Sequence, residues 1–245
     1  MTDKKEWFEE WFDTNYYHIL YKNRDDKEAE FFLTNLLDFL QLDANSCVLD
    51  LACGKGRHAL FLNSKGYQVT GVDLSSQSIK WANQFNSAGL SFHVHDMREV
   101  FSKNTFDIVL NLFSSFGYFR TITDNEKMLN AVAENLKSDG VFVLDFMNVT
   151  KVINDLVAKE SKEEDNITFN ITRKIMDNYI IKKIEVIDAD KHFYFEERVQ
   201  AFTLKQLEPL FEKAGLHITN IFGDYSLNSF SENSSSRLLL IAVKK

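Results

Sequence analysis

A chain of 245 residues, 44% of them apolar, is long enough for a large buried core, and one proline with nine glycines leaves little material for a flexible linker. The formal net charge of −8 disfavours a broad nucleic-acid footprint, which needs clustered Lys and Arg, and so argues against a DNA substrate. Cys47 and Cys53 match neither a zinc spacing nor a redox pair, no apolar run approaches a membrane span, and residues 1–6 lack a secretory apolar core, so a reduced, cytoplasmic protein is expected.

The first 40 residues read as helical in two parts. Trp7, Phe8, Trp11 and Phe12 recur on one face, and Ala29, Phe32, Leu33, Leu36, Leu37 and Leu40 do so more regularly. Between them, residues 15–24 hold Tyr16, Tyr17, His18, Tyr21 and Arg24, and this aromatic stretch reads as a lid. After a polar connection the rhythm becomes strand and helix in alternation: a strand over 48–51, a helix over 56–64 closed by Gly66, and a strand over 68–73. Ser75 then caps a helix with Ile79, Ala82 and Phe85 inward, and a strand follows over 90–95. A strand over 106–112 leads to a helix from about residue 124, with Met128, Leu129, Val132, Ala133 and Leu136 inward and Gly140 as its end. A strand over 141–146 completes a parallel sheet covered by helices on both faces.

The pattern then breaks. Residues 149–165 read as a charged helical stretch, with the Glu163-Glu164-Asp165 run on a solvated face, and 167–175, 179–187 and 192–202 as an antiparallel meander serving as a flap or a homodimer interface. Thr203 caps a helix through Leu204, Leu207, Leu210, Phe211 and Ala214, with Pro209 in conflict inside it. Strands over 216–222 and 238–243 end the chain. The expected organisation is one domain over 1–245: lid 1–42, ligand-binding core 43–148, inserted helix and meander 149–202, and the rest of the core sheet 203–245.

The residues that bear chemistry sit at successive strand ends. Asp50-Leu51-Ala52-Cys53-Gly54-Lys55-Gly56-Arg57-His58 carries an apolar strand into a glycine turn and then a helix, where glycine lets backbone approach a ligand and the helix start offers unpaired N–H groups. Asp73 ends the second strand about 20 residues on, where a nucleoside-binding crevice needs a carboxylate for ribose hydroxyls. A dinucleotide is disfavoured because the second half of the chain offers a meander rather than a second mononucleotide unit, and Gly54-Lys55-Gly56 lacks the spacing of a phosphate loop. His93 and His95 share a strand face without a third ligand, so no metal site is expected.

Residues 48–146 resemble the class I S-adenosylmethionine-dependent methyltransferases. Asp50 to Gly56 matches that family's acidic-x-Gly-x-Gly-x-Gly motif with Ala52 replacing the first glycine. The resemblance implies that Asp73 takes the ribose hydroxyls with Leu74 beside the adenine, that Asp96 and the Met97 backbone meet the adenine edge, and that Asn111, Leu112 and Phe113 face the methionine end. The whole chain looks like a bacterial small-molecule branch in which the glycine motif, Ser114-Phe116-Gly117-Tyr118 and a tyrosine-rich lid occur together. The implied fold is a Rossmann-like α/β sheet of seven strands, mostly parallel, with the last antiparallel. Ala52, Cys53, Gly54, Gly56, Arg57 and His58 would surround the donor and Tyr17 and Phe113 would face its sulfonium, while Arg24 reads as a surface arginine capping a helix, with the donor carboxylate as its alternative partner. Tyr118, His58 and Tyr17 lie on segments that reach the site, and none stands out as a catalytic base. The acceptor is read as a small molecule held between crevice, lid and meander. The Asn/Asp-Pro-Pro-aromatic signature of base-amine methyltransferases is absent from Asn111-Leu112-Phe113-Ser114. An RNA or protein methyltransferase, or a non-catalytic binder of S-adenosylmethionine, remain the alternatives.

Overall fold

A computed structural model describes residues 7–22, 26–113 and 115–245. Three helices come first: α1 (Trp7–Trp11), α2 (Asn15–Leu20) and α3 (Asp26–Leu40). The aromatic stretch expected between two helices thus forms a helix of its own, started by the Thr14 side chain, which accepts from the Tyr17 N–H at 3.1 Å. The alternation that follows is β1 (Cys47–Leu51), α4 (Arg57–Ser64), β2 (Gln68–Asp73), α5 (Ser76–Ala82), β3 (Leu90–Val94), β4 (Phe106–Asn111), α6 (Ile122–Asn135) and β5 (Leu136–Met147). Ser75 and Thr121 cap α5 and α6 by accepting from the Ser78 and Asp124 N–H groups.

After α7 (Val149–Asn154) come β6 (Lys159–Glu164), β7 (Ile167–Met176), β8 (Tyr179–Asp188) and β9 (Lys191–Gln200). The chain ends with α8 (Leu204–Lys213), β10 (Leu216–Phe222) and β11 (Arg237–Lys244).

The main sheet has the order β10-β11-β5-β4-β1-β2-β3, parallel except for β11, which runs antiparallel to both β5 and β10. This is the seven-stranded, Rossmann-like arrangement that the family resemblance implied. One face packs on α6 and α8 through Val109, Phe142, Phe146, Met128, Leu129 and Phe211. The other packs on α3, α4 and α5 through Val48, Ile108, Phe32, Leu36, Leu62 and Ile79. Strand order reverses between β1 and β4, and at such a switch point the loops leaving the strand carboxyl ends diverge to opposite faces and open a crevice.

Four local expectations are corrected. The charged stretch is helical only to Asn154; Lys159–Glu164 has no apolar face for a helix to bury and instead adds an edge strand, with Arg173 pairing Glu160 at 2.6 Å and Ser161 donating to Asn170 at 3.0 Å. The second sheet is therefore four-stranded, in the order β6-β7-β8-β9. Phe85 falls in a 3-10 turn after α5 and is exposed, because the turn rotates it off the face that buries Ile79 and Ala82. α6 stops at Asn135 rather than at Gly140: the Asn135 carboxamide is turned away to accept from the Phe101 and Ser102 N–H groups at 2.9 and 2.7 Å, and Leu136 already pairs with Phe106. Pro209 does sit inside α8; it and Lys205, whose carbonyl loses its helical partner, are both exposed, so that carbonyl is not sealed away from solvent.

Among the described residues no helix is long and apolar enough to cross a membrane. Cys47 and Cys53 are both free thiols.

Candidate functional site

The turn after β1 is built from left-handed backbone: Ala52, Gly54 and Gly56 have φ of 58°, 55° and 86°. Gly56 is required twice over, since a Cβ there would stand 2.6 Å from the Phe92 ring. Gly54 is different. No atom lies within 4 Å of where its Cβ would stand, so the turn presents bare backbone to open space.

That space is a cavity of about 380 Å³ at the carboxyl ends of β1, β2, β3 and β4, roofed by α1 and α2. Of the residues read from the sequence, Tyr17, Ala52, Cys53, Gly54, Arg57, His58, Asp73, Leu74, Asp96, Met97, Leu112 and Phe113 line it. Asp50, Gly56 and Asn111 do not. Asp50 lies buried beneath the turn and accepts from the Ala59 N–H, tying β1 to the first turn of α4. Asn111 is fully buried and donates to the Leu51 carbonyl at 3.1 Å, which joins the ends of β4 and β1. Arg24 and Ser114 lie outside the described residues. His93 and His95 do not converge: His93 contacts Ser91, and His95 contacts the Glu99 carbonyl. No cluster of side chains able to hold a metal occurs among the described residues.

Asp73 organises the floor. One carboxylate oxygen accepts from the Gly54 N–H and the other from the Ser75 N–H, each at 2.8 Å. Burial raises its pKa, against the pull of those two donors. The Leu74 N–H also bonds this carboxylate, and the acceptor capacity that is left faces the cavity, where it suits an arriving hydroxyl. Asp50 is pushed up to about 7, first by burial and then by the charge of Asp73. Burial, followed by the same two carboxylates, lifts the Cys53 thiol well above its usual range, which makes it an inert wall. Asp96 behaves oppositely: burial would raise it, but Arg98 holds it low through a forked contact at 2.5 to 3.0 Å and a bond from its own N–H. The loop carboxylate is thus ionised and orientated before any ligand arrives.

At the far end Phe113 has φ of 59°, unusual for a bulky residue. Its N–H donates to Asp145 at 2.9 Å, and its ring stacks on His58 at 5.0 Å and Tyr225 at 5.6 Å with the Arg57 guanidinium 4.9 Å from its centre. Asp145 is completely buried and also accepts from Tyr225 Oη at 3.0 Å and from Arg237, whose Nε and Nη2 both lie at 2.7 Å. Burial would lower the Arg237 pKa, yet Asp145 holds it raised; burial and then Asp145 raise that of Tyr225. Sequence reading missed this group. Its one signal was an aspartate inside an otherwise apolar buried strand, which demands a partner, but Tyr225 and Arg237 stand 80 and 92 residues away.

The roof departs from expectation. No meander residue lines the cavity. Trp11, Tyr16, Tyr17 and Tyr21 instead pack on Ile171, Ile184, Phe193 and Phe195, so the meander is the backing of the lid. Trp11 Nε1 and Tyr21 Oη both donate to Glu197, at 2.8 and 2.6 Å; Lys182 bonds Tyr21 and pairs with Glu197 at 3.4 Å; Tyr16 donates to Asp188 at 2.9 Å. On the crevice side, Ser75 Oγ donates to Asp13. His18, half-buried in α2, also lines the cavity; burial and then Lys55 lower its pKa, with Asp13 opposing.

Residues 48–140 match the methyltransferase domain family. A putative methyltransferase of Bacillus subtilis, YqeM, is 25% identical over 207 residues, which cover 80% of this chain and 83% of that one. Among solved structures, an S-adenosylmethionine-dependent methyltransferase from Clostridium acetobutylicum superposes with a TM-score of 0.79 at 23% identity, covering 94% of this chain and 96% of that one. The S-adenosylmethionine-bound amino pentose methyltransferase CalS10 from Micromonospora echinaspora gives 0.70 at 19% identity, covering 95% and 98%.

Proposed function

Because the chain is a class I S-adenosylmethionine-dependent methyltransferase, we propose that it methylates a small-molecule acceptor in the cavity under the lid. The observation that carries this is the convergence of Gly54, Asp73, Asp96 and Phe113, from four separate strand ends, on one cavity. S-adenosylmethionine is the cofactor, and the site fits it: bare backbone at Gly54 faces open space, and the half-buried Asp73 carboxylate stands beside it.

In this reading Asp73 holds the ribose hydroxyls, Leu74 and Met97 flank the adenine, and Asp96 with the Met97 N–H meets its edge. Ala52, Cys53 and Gly54 border the methionine portion, while Phe113 and Tyr17 turn ring faces to the sulfonium. Arg57 and His58 hold the Phe113 ring, and Leu112 closes the wall behind it. Asp50, Gly56 and Asn111 act through the shape of the turn. When bound, the cofactor supplies an electrophilic methyl carbon on a cationic sulfur. The residues contribute position and a dry cavity, the two things an in-line displacement gains most from.

Titration calorimetry with S-adenosylhomocysteine tests this. Micromolar-range binding is expected, weakened about tenfold or more by Asp73→Asn, which keeps the shape but removes the charge-assisted acceptor. No binding by folded protein refutes it.

The free thiols fit a cytoplasmic setting, and the net charge of −8 fits an acceptor other than nucleic acid. A homodimer through the meander would use its outward face, where Asn170 and Tyr194 both donate to Glu185; sedimentation at two protein concentrations decides it.

A further inference from the structure

The half of the cavity away from β1, β2 and β3 is walled by an unbroken run of rings. Phe119 touches Phe8 at 6.1 Å, Phe8 touches Tyr118 at 6.5 Å, Tyr118 touches Phe12 at 5.5 Å, Phe12 touches Tyr17 at 4.8 Å, and Tyr17 touches Tyr21 at 4.9 Å between centres. All six line the cavity. The charges around this wall are already engaged. Arg98 grips Asp96 and lies 5.0 Å from the Phe119 ring centre; Arg57 lies over Phe113 and pairs with Asp26 at the rim; Lys182 and Glu197 stand behind Tyr21. Lys55, on the cofactor side, is directed over Trp81.

Resting on the methyltransferase reading, we propose that the acceptor is a small amine on a flat apolar body, an arylalkylamine without phosphate or carboxylate, seated in this ring wall. Three arguments lead there. An anionic acceptor needs a cation or a set of donors at the far end of the cavity, and the wall offers ring faces and phenol groups. The amine exchanges its proton with water before the transfer and attacks from its neutral form with a free lone pair, so the step needs no base from the protein. Its nitrogen forms the new N–C bond as the S–C bond of the sulfonium breaks and that electron pair stays on sulfur. The positive charge thereby passes from sulfur to nitrogen. Ring faces stabilise a cation at either place, so the wall favours the path of the transfer and not only its start. A phenol or carboxylic acid would instead require a negative charge to form against the same faces.

Calorimetry on the chain saturated with S-adenosylhomocysteine tests this, using 2-phenylethylamine, 2-phenylethanol, phenylacetate and O-phosphoethanolamine as probes. The amine is expected to bind at least about tenfold tighter than each of the others. Phe12→Leu and Tyr118→Leu, which keep bulk but remove the ring face, are expected to weaken the amine about tenfold. Binding of S-adenosylhomocysteine is measured first in every sample: its loss in the parent chain sinks the methyltransferase reading, and its loss in a variant marks a damaged fold, in which case the other variant decides. With that binding intact, absence of amine binding, equal or tighter binding of the acid, alcohol or phosphate probe, or unchanged amine affinity in the intact leucine variant overturns the proposal.

Discussion

Asp145→Asn is expected to be among the most damaging single-atom changes in the chain. Asp145 is completely buried, accepts from Phe113 N, Tyr225 Oη and Arg237, and faces a guanidinium that is itself largely buried. The amide keeps the size but not the charge, and its NH₂ must point at one of these donors: either at Arg237 or at Phe113 and Tyr225 together. Breaking one side of a buried ion pair costs about 3–5 kcal/mol, because the other charge stays buried without compensation. A domain commonly holds about 5–15 kcal/mol in total, so about a fifth of the stability or more should disappear. Equilibrium urea unfolding of parent and variant at one pH reads this as a lower midpoint at unchanged slope. A second readout is local. Phe113 depends on Asp145 for its backbone conformation at the cavity, so affinity for S-adenosylhomocysteine should fall in the folded variant. Arg237→Gln should cost much less in the Asp145→Asn background than in the parent, since the two changes remove one interaction. A loss below about 1 kcal/mol for Asp145→Asn, or strict additivity of the two, would refute the reasoning.

Other outcomes follow from the turn and its surroundings. Ala52→Gly should stabilise the chain by about 1 kcal/mol in thermal or urea melts, because Ala52 holds a left-handed φ of 58° that glycine adopts without steric cost; a destabilised variant shows that the Ala52 methyl packs instead. Gly56→Ala should cost about 2–4 kcal/mol, combining a φ of 86° with a Cβ placed 2.6 Å from Phe92, and a neutral effect on the melting midpoint would contradict the packing described. Asp50, raised to about 7, should make the ligand-free chain pH-dependent. A raised folded-state pKa means that the folded chain binds the extra proton, so this contribution is complete below about 4 and is lost as the pH rises to about 7, amounting to up to ~4 kcal/mol. Urea melts across that window should show the decline, and Asp50→Asn should flatten it; an undiminished slope in the variant assigns the proton elsewhere.

The strand and helix alternation was legible because it depends on short-range pattern: apolar runs such as 106–112, caps such as Ser75 and Thr203, and the glycine turn at 54–56 each specify their own few residues. The meeting of the strand-end residues in one cavity was legible for the same reason. A parallel sheet brings its carboxyl ends together whatever lies between, so residues at successive strand ends must converge, as Gly54, Asp73, Asp96 and Phe113 do. Expectation failed where a segment's state depends on a distant partner. Lys159–Glu164 has no pattern of its own and is a strand only because β7 offers it an edge. α6 ends at Asn135, where the side chain accepts from two backbone donors of the distant loop before β4 and Leu136 joins the sheet beside Phe106.

By itself, then, the sequence determined the alternation of strand and helix through local periodicity, and the class of methyl donor through the resemblance that its strand-end residues carry. Only the tertiary structure decided the rest. It placed the meander behind the lid rather than in the cavity, through an apolar face on β7, β8 and β9 that α1 and α2 cover. It lined up rings from residue 8 to residue 119 into one wall, and it joined Asp145, Tyr225 and Arg237 beneath Phe113. Such groupings have no trace in spacing along the chain, because a buried charge or an aromatic ring is satisfied by whatever reaches it in space.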